Sequence, residues 1–176
     1  RRGGVSGRTM DRIDVSRIRV HGDYHLGQVL HAGRDFVIID FEGEPSRSPT
    51  ERRIKRSAIT DVAGMIRSFQ YAVAAGLRAL EDRGLLRPEQ RDALTRRGAV
   101  WEHWVTGQFL RGYLHDAEGA AFVPTDAADL QVLLVAYTLD KALYEVRYEL
   151  NNRPTWADIP MRGIQQLLDA DVGGPG

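Results

Sequence analysis

The chain has 176 residues, and its acidic and basic residues balance at 24 each, which gives a formal net charge of zero. This length suits one domain with a proper core, and the charge balance gives no support for a nucleic-acid or membrane-surface partner. The sequence contains no cysteine, which excludes disulfides and thiolate metal sites and fits a cytoplasmic setting. No apolar run approaches the ~20 residues that a membrane helix needs.

The first part of the chain predicts little regular structure before a small hairpin. Residues 1–17 are rich in arginine and glycine without a clear period, so we expect a loose N-terminal segment. Residues 18–20 form an apolar stretch that predicts a short strand. Residues 29–30 and 36–39 predict the two strands of a hairpin, because residues 32–35 between them contain a glycine and an aspartate typical of turns.

The middle of the chain predicts two long helices. Thr60 or Asp61 is expected to cap the first helix, and Gly84 marks its end. Its buried face is predicted by apolar residues that recur at spacings of three and four, namely Val62, Met65, Ile66, Phe69, Val73, Leu77 and Leu80. Pro88 is expected to open the second helix, which either continues through Gly98 or breaks near it.

The last part of the chain predicts a third long helix and a short final one. Thr125 or Asp126 can cap the third helix, which should reach Leu150 before a proline interrupts it. A short helix is expected over residues 161–168, and residues 169–176 should form a flexible tail. The fold class predicted from these elements is α+β and mostly helical, with a small β-hairpin.

Three polar residues around the predicted hairpin have the spacing of a phosphoryl-transfer site. Asp23 lies on a tight loop after an apolar run, Gln28 follows it, and Asp40 ends the next apolar run. This order is typical of a kinase catalytic loop, H-R-D-x-x-x-x-N, followed by the metal-binding aspartate of D-F-G. Asp23 is predicted to orient and deprotonate an acceptor hydroxyl. Gln28 and Asp40 are predicted to hold Mg²⁺, because this ion prefers hard oxygen ligands.

These motifs resemble those of aminoglycoside-phosphotransferase-like sugar kinases, which have a protein-kinase-like fold. The chain is similar to their C-terminal lobe, and among them it most resembles the maltokinases, over residues 21–30, 35–45, 51–72 and 139–164. The resemblance implies that ATP and Mg²⁺ are cofactors and that maltose is phosphorylated to maltose 1-phosphate for glycogen and other α-glucan biosynthesis. It also implies trehalose synthase as a fused or associated partner.

The resemblance divides the chain into a C-terminal lobe over residues 18–168 between the two terminal segments. A kinase also needs an N-terminal lobe with a Gly-rich loop and a strand lysine. Neither is recognisable before the catalytic loop, so we expect the N-lobe to be absent and this chain to be inactive alone. Two alternatives stay open, namely a kinase for glucosamine or another aminosugar, and a non-catalytic lobe that docks on trehalose synthase.

Several residues near the motifs are predicted to support the site. His21 is expected to brace the loop, and Asp61 is expected to hold the catalytic-loop backbone by hydrogen bonds. His25 is equally compatible with substrate contact and with loop bracing. Glu42 lies two residues beyond Asp40, on the same side of an extended chain, and is a candidate sugar or second metal ligand. The alternative for Glu42 is a solvated acidic turn.

The end of the third helix contains a cluster of aromatic and charged residues that suits a saccharide. Aromatic faces can pack against sugar C–H groups, while carboxylates and arginine bind hydroxyls. The candidates are Tyr144, Glu145, Tyr148, Glu149, Arg153 and Trp156. Residues four apart on a helix share a face, so the two tyrosines and the two glutamates form matched pairs. The alternative is that the aromatic residues only complete the core of the lobe.

Overall fold

A computed structural model describes residues 13–44 and 48–172, with side chains up to residue 169. The mostly helical architecture with a small hairpin is confirmed. Its elements are β1 (Val29–Ala32), β2 (Asp35–Ile38), α1 (Pro49–Arg52), α2 (Ile59–Asp82), α3 (Pro88–Asp116), α4 (Ala127–Asn152) and α5 (Asp158–Val172), with two short 3₁₀ turns, Leu26–Gln28 and Pro154–Trp156. Half of the expected tail, residues 173–176, lies outside the described residues, and the expectation is wrong for residues 169–172, which belong to α5.

The predicted hairpin is present, and its side chains are largely exposed. Its strands are antiparallel, with Val29 opposite Ile38 at the open end. Gly33 has a φ of 72°, and glycine at the first central position is what a two-residue hairpin loop of the II′ kind requires. The side chain of Phe36 is 71 % exposed, and those of Leu30 and Ile38 are also exposed. The hairpin therefore contributes little to the core of this lobe.

The strand predicted over residues 18–20 is wrong. Ile18 makes only an isolated bridge to Arg56, and the chain turns at Gly22, where φ is 85°. The expectation of a loose N-terminal segment also needs correction. Residues 1–12 lie outside the described part of the chain, but Ile13 and Val15 pack against the hydrophobic core. The ordered lobe therefore begins before Ile18.

The hydrophobic core lies between α2 and α4. Ile59 and Val62 of α2 pack with Leu133 of α4, and side chains of α3 cover them. Helix α2 begins at Ile59, and Ala58 before it makes no side-chain cap. The capping role predicted for Thr60 or Asp61 is therefore wrong, because both residues already lie inside the first turn. The carboxylate of Asp61 is instead free to bind a different part of the chain.

Helix α3 is continuous from Pro88 to Asp116, so the possible break near Gly98 does not occur. A Cβ atom on Gly98 would lie 2.4 Å from Cγ1 of Val73 in α2. The absence of a side chain at this position therefore allows α2 and α3 to approach closely. This glycine serves helix packing and does not interrupt the helix.

Helices α4 and α5 complete the lobe. The side chain of Asp126 accepts hydrogen bonds from the N–H groups of Ala128 and Asp129, so the predicted cap of α4 is confirmed. Helix α5 starts at Asp158 and is longer than the predicted 161–168 segment. Within the described part of the chain, no helix is both long enough and apolar enough to cross a membrane.

Candidate active site

The start of α2 holds the loop that carries Asp23. The two carboxylate oxygens of Asp61 accept hydrogen bonds from the backbone N–H groups of His21, at 2.7 Å, and Gly22, at 2.9 Å. Burial raises the pKa of Asp61, although these two hydrogen bonds oppose the shift. A Cβ atom on Gly64 would lie 2.6 Å from the carbonyl oxygen of Tyr24. The loop therefore rests directly on the backbone of α2.

His21 connects this loop to the end of β2. Its buried ring contacts the carbonyl oxygen of Ile39 through Nε2, at 2.7 Å, and Nδ1 accepts the backbone N–H of Asp23, at 3.3 Å. Because Nδ1 is an acceptor here, the neutral ring carries its proton on Nε2 and donates it to Ile39. His21 thus links the two chain segments that carry Asp23 and Asp40.

The side chains of Gln28 and Asp40 lie next to each other at the open end of the hairpin, Gln28 just before β1 and Asp40 shortly after β2. Nε2 of Gln28 donates to Oδ2 of Asp40 at 2.9 Å. Asp40 has a φ of 61°, the only positive value for a non-glycine residue in the described ranges, and such strained backbone is concentrated at functional sites. The structure places the two predicted metal ligands together at one exposed edge.

The donor set at this edge fits Mg²⁺ bound together with phosphates. Mg²⁺ is usually held by one or two carboxylates, with waters and substrate phosphates completing its coordination. Asp40 supplies one carboxylate, and Gln28 can supply its amide oxygen after rotation of the amide group. No group of three or more His, Cys, Asp or Glu side chains within residues 13–44 and 48–172 is arranged to bind a metal ion. Waters and phosphate oxygens would complete the coordination of an ion held by Asp40 and Gln28.

Asp23 lies between a histidine and a lysine. Its carboxylate is 3.7 Å from Nε2 of His25 and 3.6 Å from Nζ of Lys141 on α4. Burial by itself would raise the pKa of Asp23, but His25 and Lys141 together outweigh it and hold this pKa below its ordinary value. The carboxyl group of Asp23 is therefore ionised at neutral pH. Nδ1 of His25 also accepts the N–H of Gly27, at 3.0 Å, so His25 braces its own loop.

Asp23 opens into a cavity of about 460 Å³ between the catalytic loop, α2 and α4. This volume lies within the range of small-molecule sites, ~300–1,000 Å³. The side chains around it are mostly charged or aromatic. Its lining consists of Asp23, His25, Glu44, Gly64, Ser68, Tyr71, Lys141, Tyr144, Glu145, Tyr148, Glu149 and Arg153.

The floor of the cavity contains one ion pair and one hydrogen bond between α2 and α4, and a second ion pair at the end of α4. Arg67, which is 1 % exposed, contacts Glu145 through Nε at 2.8 Å and through Nη2 at 2.7 Å. Glu149 accepts from the hydroxyl of Tyr71 at 3.2 Å and from Arg153 at 2.9 and 2.7 Å. Burial raises the pKa of Glu145, although Arg67 opposes the shift.

Most of the predicted saccharide residues reach the cavity, but two do not. Tyr144, Glu145, Tyr148, Glu149, Arg153 and His25 all line it. Glu42 is exposed and lies outside the lining, while Glu44 occupies the place expected for it. Trp156 is also absent from the lining, because its ring packs against the guanidinium groups of Arg78, at 4.8 Å, and Arg153, at 4.6 Å.

Four charged or aromatic residues of the cavity or its floor, Lys141, Glu44, Arg67 and Tyr71, were missed in the sequence. Lys141 and Glu44 meet only because α4 packs beside the loop after β2, with Nζ and Oε2 3.7 Å apart. Arg67 and Tyr71 are four residues apart on α2, as are Glu145 and Glu149 on α4. A basic and an aromatic residue on one helix thus have the same spacing as two acidic residues on another. This equal spacing was the sequence feature from which the floor could have been predicted.

Comparison with known proteins shows similarity to glucosamine kinases. No protein-family model matches the chain. The glucosamine kinase of Mycolicibacterium smegmatis is 31 % identical over 168 residues, which cover 94 % of this chain and 38 % of that protein. The glucosamine kinase of Streptacidiphilus jiangxiensis is 29 % identical over 153 residues, covering 86 % of this chain and 32 % of that protein.

Solved structures give the same result. A glucosamine kinase in its crystal form B superposes with a TM-score of 0.66 at 28 % identity, over 87 % of this chain and 34 % of that one. A glucosamine kinase in complex with glucosamine, ADP and inorganic phosphate superposes with a TM-score of 0.64 at 27 % identity, over 86 % of this chain and 33 % of that one. The chain thus spans about a third of the length of the relatives that it matches.

These findings correct the choice of acceptor. The expectation that maltose is phosphorylated to maltose 1-phosphate is wrong, because the matching proteins are glucosamine kinases and one was solved with glucosamine. They favour the alternative that the acceptor is an aminosugar. The expectation that the chain resembles maltokinases more than other sugar kinases is not supported. Over most of its length, this chain is similar to about one third of a glucosamine kinase.

Proposed function

We propose that this chain is the catalytic and acceptor-binding lobe of an ATP-dependent aminosugar kinase with a protein-kinase-like fold. The observation that carries the proposal is the position of Asp23 in a charged cavity of sugar-binding character, beside the Gln28–Asp40 edge. The likeness to a glucosamine kinase solved with glucosamine, ADP and phosphate supports both the acceptor and the use of ATP.

In this proposal Asp23 acts as the base. An acceptor hydroxyl in the cavity donates its proton to the carboxylate of Asp23 as its oxygen forms a bond to the γ-phosphorus of ATP. The bond between that phosphorus and the bridging oxygen breaks, and ADP leaves with the electron pair. Asp40 and Gln28 would hold Mg²⁺, which neutralises charge on the phosphates when it is bound. His21 and Asp61 keep Asp23 in place through the loop backbone.

The charge of the cavity suits a cationic acceptor. Its lining includes the carboxylates of Asp23, Glu44, Glu145 and Glu149, against the cations of Lys141 and Arg153 and that of Arg67 in the floor, which leaves one carboxylate in excess. An excess of carboxylates in a cleft attracts an ammonium group more strongly than a neutral disaccharide. Tyr144 and Tyr148 stack with ring centres 6.4 Å apart and offer aromatic surface to a sugar ring. A trehalose synthase partner and a purely docking role remain predictions of the resemblance alone.

The proposal is tested with the full-length protein that contains this chain. Glucosamine, N-acetylglucosamine, glucose and maltose are compared as acceptors by the rate of ADP release with ATP and Mg²⁺. We expect glucosamine to give the highest kcat/KM, because the acetyl group removes the ammonium charge and the other two sugars lack it. A preference for maltose or glucose would contradict the proposal.

The same assay tests whether Asp23 acts as the general base. Asp23→Asn removes the proton acceptor while keeping the shape of the side chain, and general-base catalysis is typically worth ~10²–10⁴-fold in rate. We therefore expect kcat to fall by that factor. Asp92→Asn is the matched control, because Asp92 is exposed on α3 away from the cavity. Equal activity of the two variants would show that Asp23 is not the base.

A further inference from the structure

Lys141 is the cationic side chain that faces Asp23 from the opposite wall of the cavity. Its Nζ lies 3.6 Å from Oδ1 of Asp23, 3.7 Å from Oε2 of Glu44 and 5.1 Å from the ring centre of Tyr144. The hydroxyl of Tyr144 in turn donates to Oε1 of Glu44 at 2.9 Å. One lysine of α4 thus joins the catalytic loop to the segment after β2.

The contacts of Lys141 differ from those of its neighbours on α4. Glu145 and Glu149 are held at 2.7 to 2.9 Å by arginines. The distances from Lys141 to its two carboxylates exceed the usual length of a direct hydrogen bond, ~2.7–3.2 Å. The side chain of Lys141 is also 27 % exposed, toward the cavity. An ammonium group at these distances from two carboxylates acts on both through its charge and forms a short hydrogen bond with neither.

We propose that Lys141 is a positioning residue for the transfer reaction, which keeps Asp23 ionised and directed into the cavity until the acceptor hydroxyl arrives. The inference rests on the proposed function, because it takes Asp23 as the base. Once Asp23 accepts the hydroxyl proton, its charge is lost, and Lys141 remains paired with Glu44. The ammonium group is therefore never left unpaired in the cavity, where an isolated buried charge is costly.

The groups around Asp23 make a specific titration experiment possible. The acidic, basic and histidine side chains around it are His21 and His25 of its own loop, Glu44 after β2, Asp61 of α2, and Asp140 and Lys141 of α4. Opposite charge within ~4–6 Å favours the ionised form of a carboxyl group. Removing the charge of Lys141 should therefore raise the pKa of Asp23, while a variant that keeps the charge should not.

The first test is a carboxyl ¹³C NMR titration of Asp23 in the 176-residue chain. Lys141→Met should move the midpoint of the Asp23 titration to higher pH. Lys141→Arg keeps the positive charge and should leave the midpoint close to that of the wild type. Lys55→Met is the control, because Lys55 is exposed and remote from the lining of the cavity. This readout does not depend on activity, so it also decides the proposal if the full-length protein phosphorylates no aminosugar. An unchanged midpoint in Lys141→Met would overturn it.

The second test is the pH profile of kcat/KM for glucosamine in the full-length protein. Lys141→Met should shift the acid limb of the profile to higher pH and reduce kcat/KM about tenfold at acidic pH, a loss equivalent to one pH unit on that limb. Lys141→Arg should show a much smaller loss than Lys141→Met, because it keeps the positive charge. A uniform reduction at all pH values, without a shift of the limb, would indicate a merely structural role and contradict the proposal.

Discussion

The catalytic end and the floor of the cavity both consist of opposite charges, but they are built differently. At the floor, Arg67 and Glu145 meet at 2.7 to 2.8 Å in a buried pair. At the catalytic end, Lys141 stands 3.6 Å from Asp23 and is shared with Glu44. The floor therefore holds α2 and α4 together, whereas the loose contacts leave room for a reacting hydroxyl. Glu145 and Glu149 thus form short ion pairs with arginines, whereas Asp23 makes only longer contacts with its cationic neighbours.

The largest expected effect on stability comes from breaking the ion pair between Arg67 and Glu145 at the floor of the cavity. Arg67→Met leaves Glu145 buried without its partner, and removing one member of a buried pair typically costs ~3–5 kcal/mol. We expect a loss of that size in the free energy of unfolding, measured by urea denaturation. Arg162→Met is the control, because Arg162 pairs with Asp158 at the surface, where such pairs are worth ~0–1 kcal/mol.

The double variant Arg67→Met/Glu145→Met sharpens this experiment. Apolar residues of similar volume often replace a buried ion pair without loss of stability. We expect the double variant to recover most of the stability lost in Arg67→Met. If it remains as unstable as the single variant, the floor does not act as an isolated ion pair.

A smaller effect is expected where the catalytic loop contacts α2. A Cβ atom on Gly64 would lie 2.6 Å from the carbonyl oxygen of Tyr24, whereas one on Gly76 of the same helix would meet no atom within 4 Å. Gly64→Ala should destabilise the chain by ~1–3 kcal/mol through overpacking and displace the loop that carries Asp23. Gly76→Ala should stabilise it by ~0.5–1 kcal/mol, because glycine is unfavourable inside a helix. Thermal unfolding compares the two, and equal shifts would contradict the close contact.

The smallest effect is a difference in pH dependence between the two regions. The pKa of Asp23 lies below the ordinary 3.8, so its contribution to stability is present above that value and is lost as pH falls through the folded-state pKa. The pKa of Glu145 lies above the ordinary 4.5, so its contribution is full below that value and is lost as pH rises through the folded-state pKa.

This difference can be measured by denaturation between about pH 3 and pH 7, the range over which carboxyl groups titrate. The stability of the wild type relative to Asp23→Asn should decrease toward acid, and that relative to Glu145→Gln should increase toward acid. The same pH trend in both comparisons would show that the two carboxylates do not differ as described.

The sequence was sufficient for the long helices but not for their details. Apolar spacing placed α2 and α4, because each has one buried face that packs on the other. The continuity of α3 could not be predicted, since the glycine that resembles a break fits against Val73. Likewise, the start of α2 at Ile59 could not be predicted, although the hydrogen bonds of Asp61 to the loop backbone at His21 and Gly22 were expected from the sequence.

The candidate site also contains residues that could be predicted from the sequence and residues that could not. Asp23, Gln28 and Asp40 were found because the motif is local, and the structure brings Gln28 and Asp40 into contact. Lys141 and Glu44 were missed because their encounter depends on how α4 lies against the loop after β2. Neighbouring residues in sequence can also separate in space, as Glu42 faces solvent while Glu44 lines the cavity.

The hairpin next to Asp40 has a consequence for handling the isolated lobe. Phe36 and Val37 of β2 are 71 % and 47 % exposed, and their side chains point to opposite faces of the strand, as successive strand residues do. A two-stranded ribbon with apolar side chains on both faces and unpaired outer edges is a template for further strands. Edge-to-edge pairing at β2 is therefore a route to aggregation of the purified chain, and it would involve the strand that ends next to Asp40.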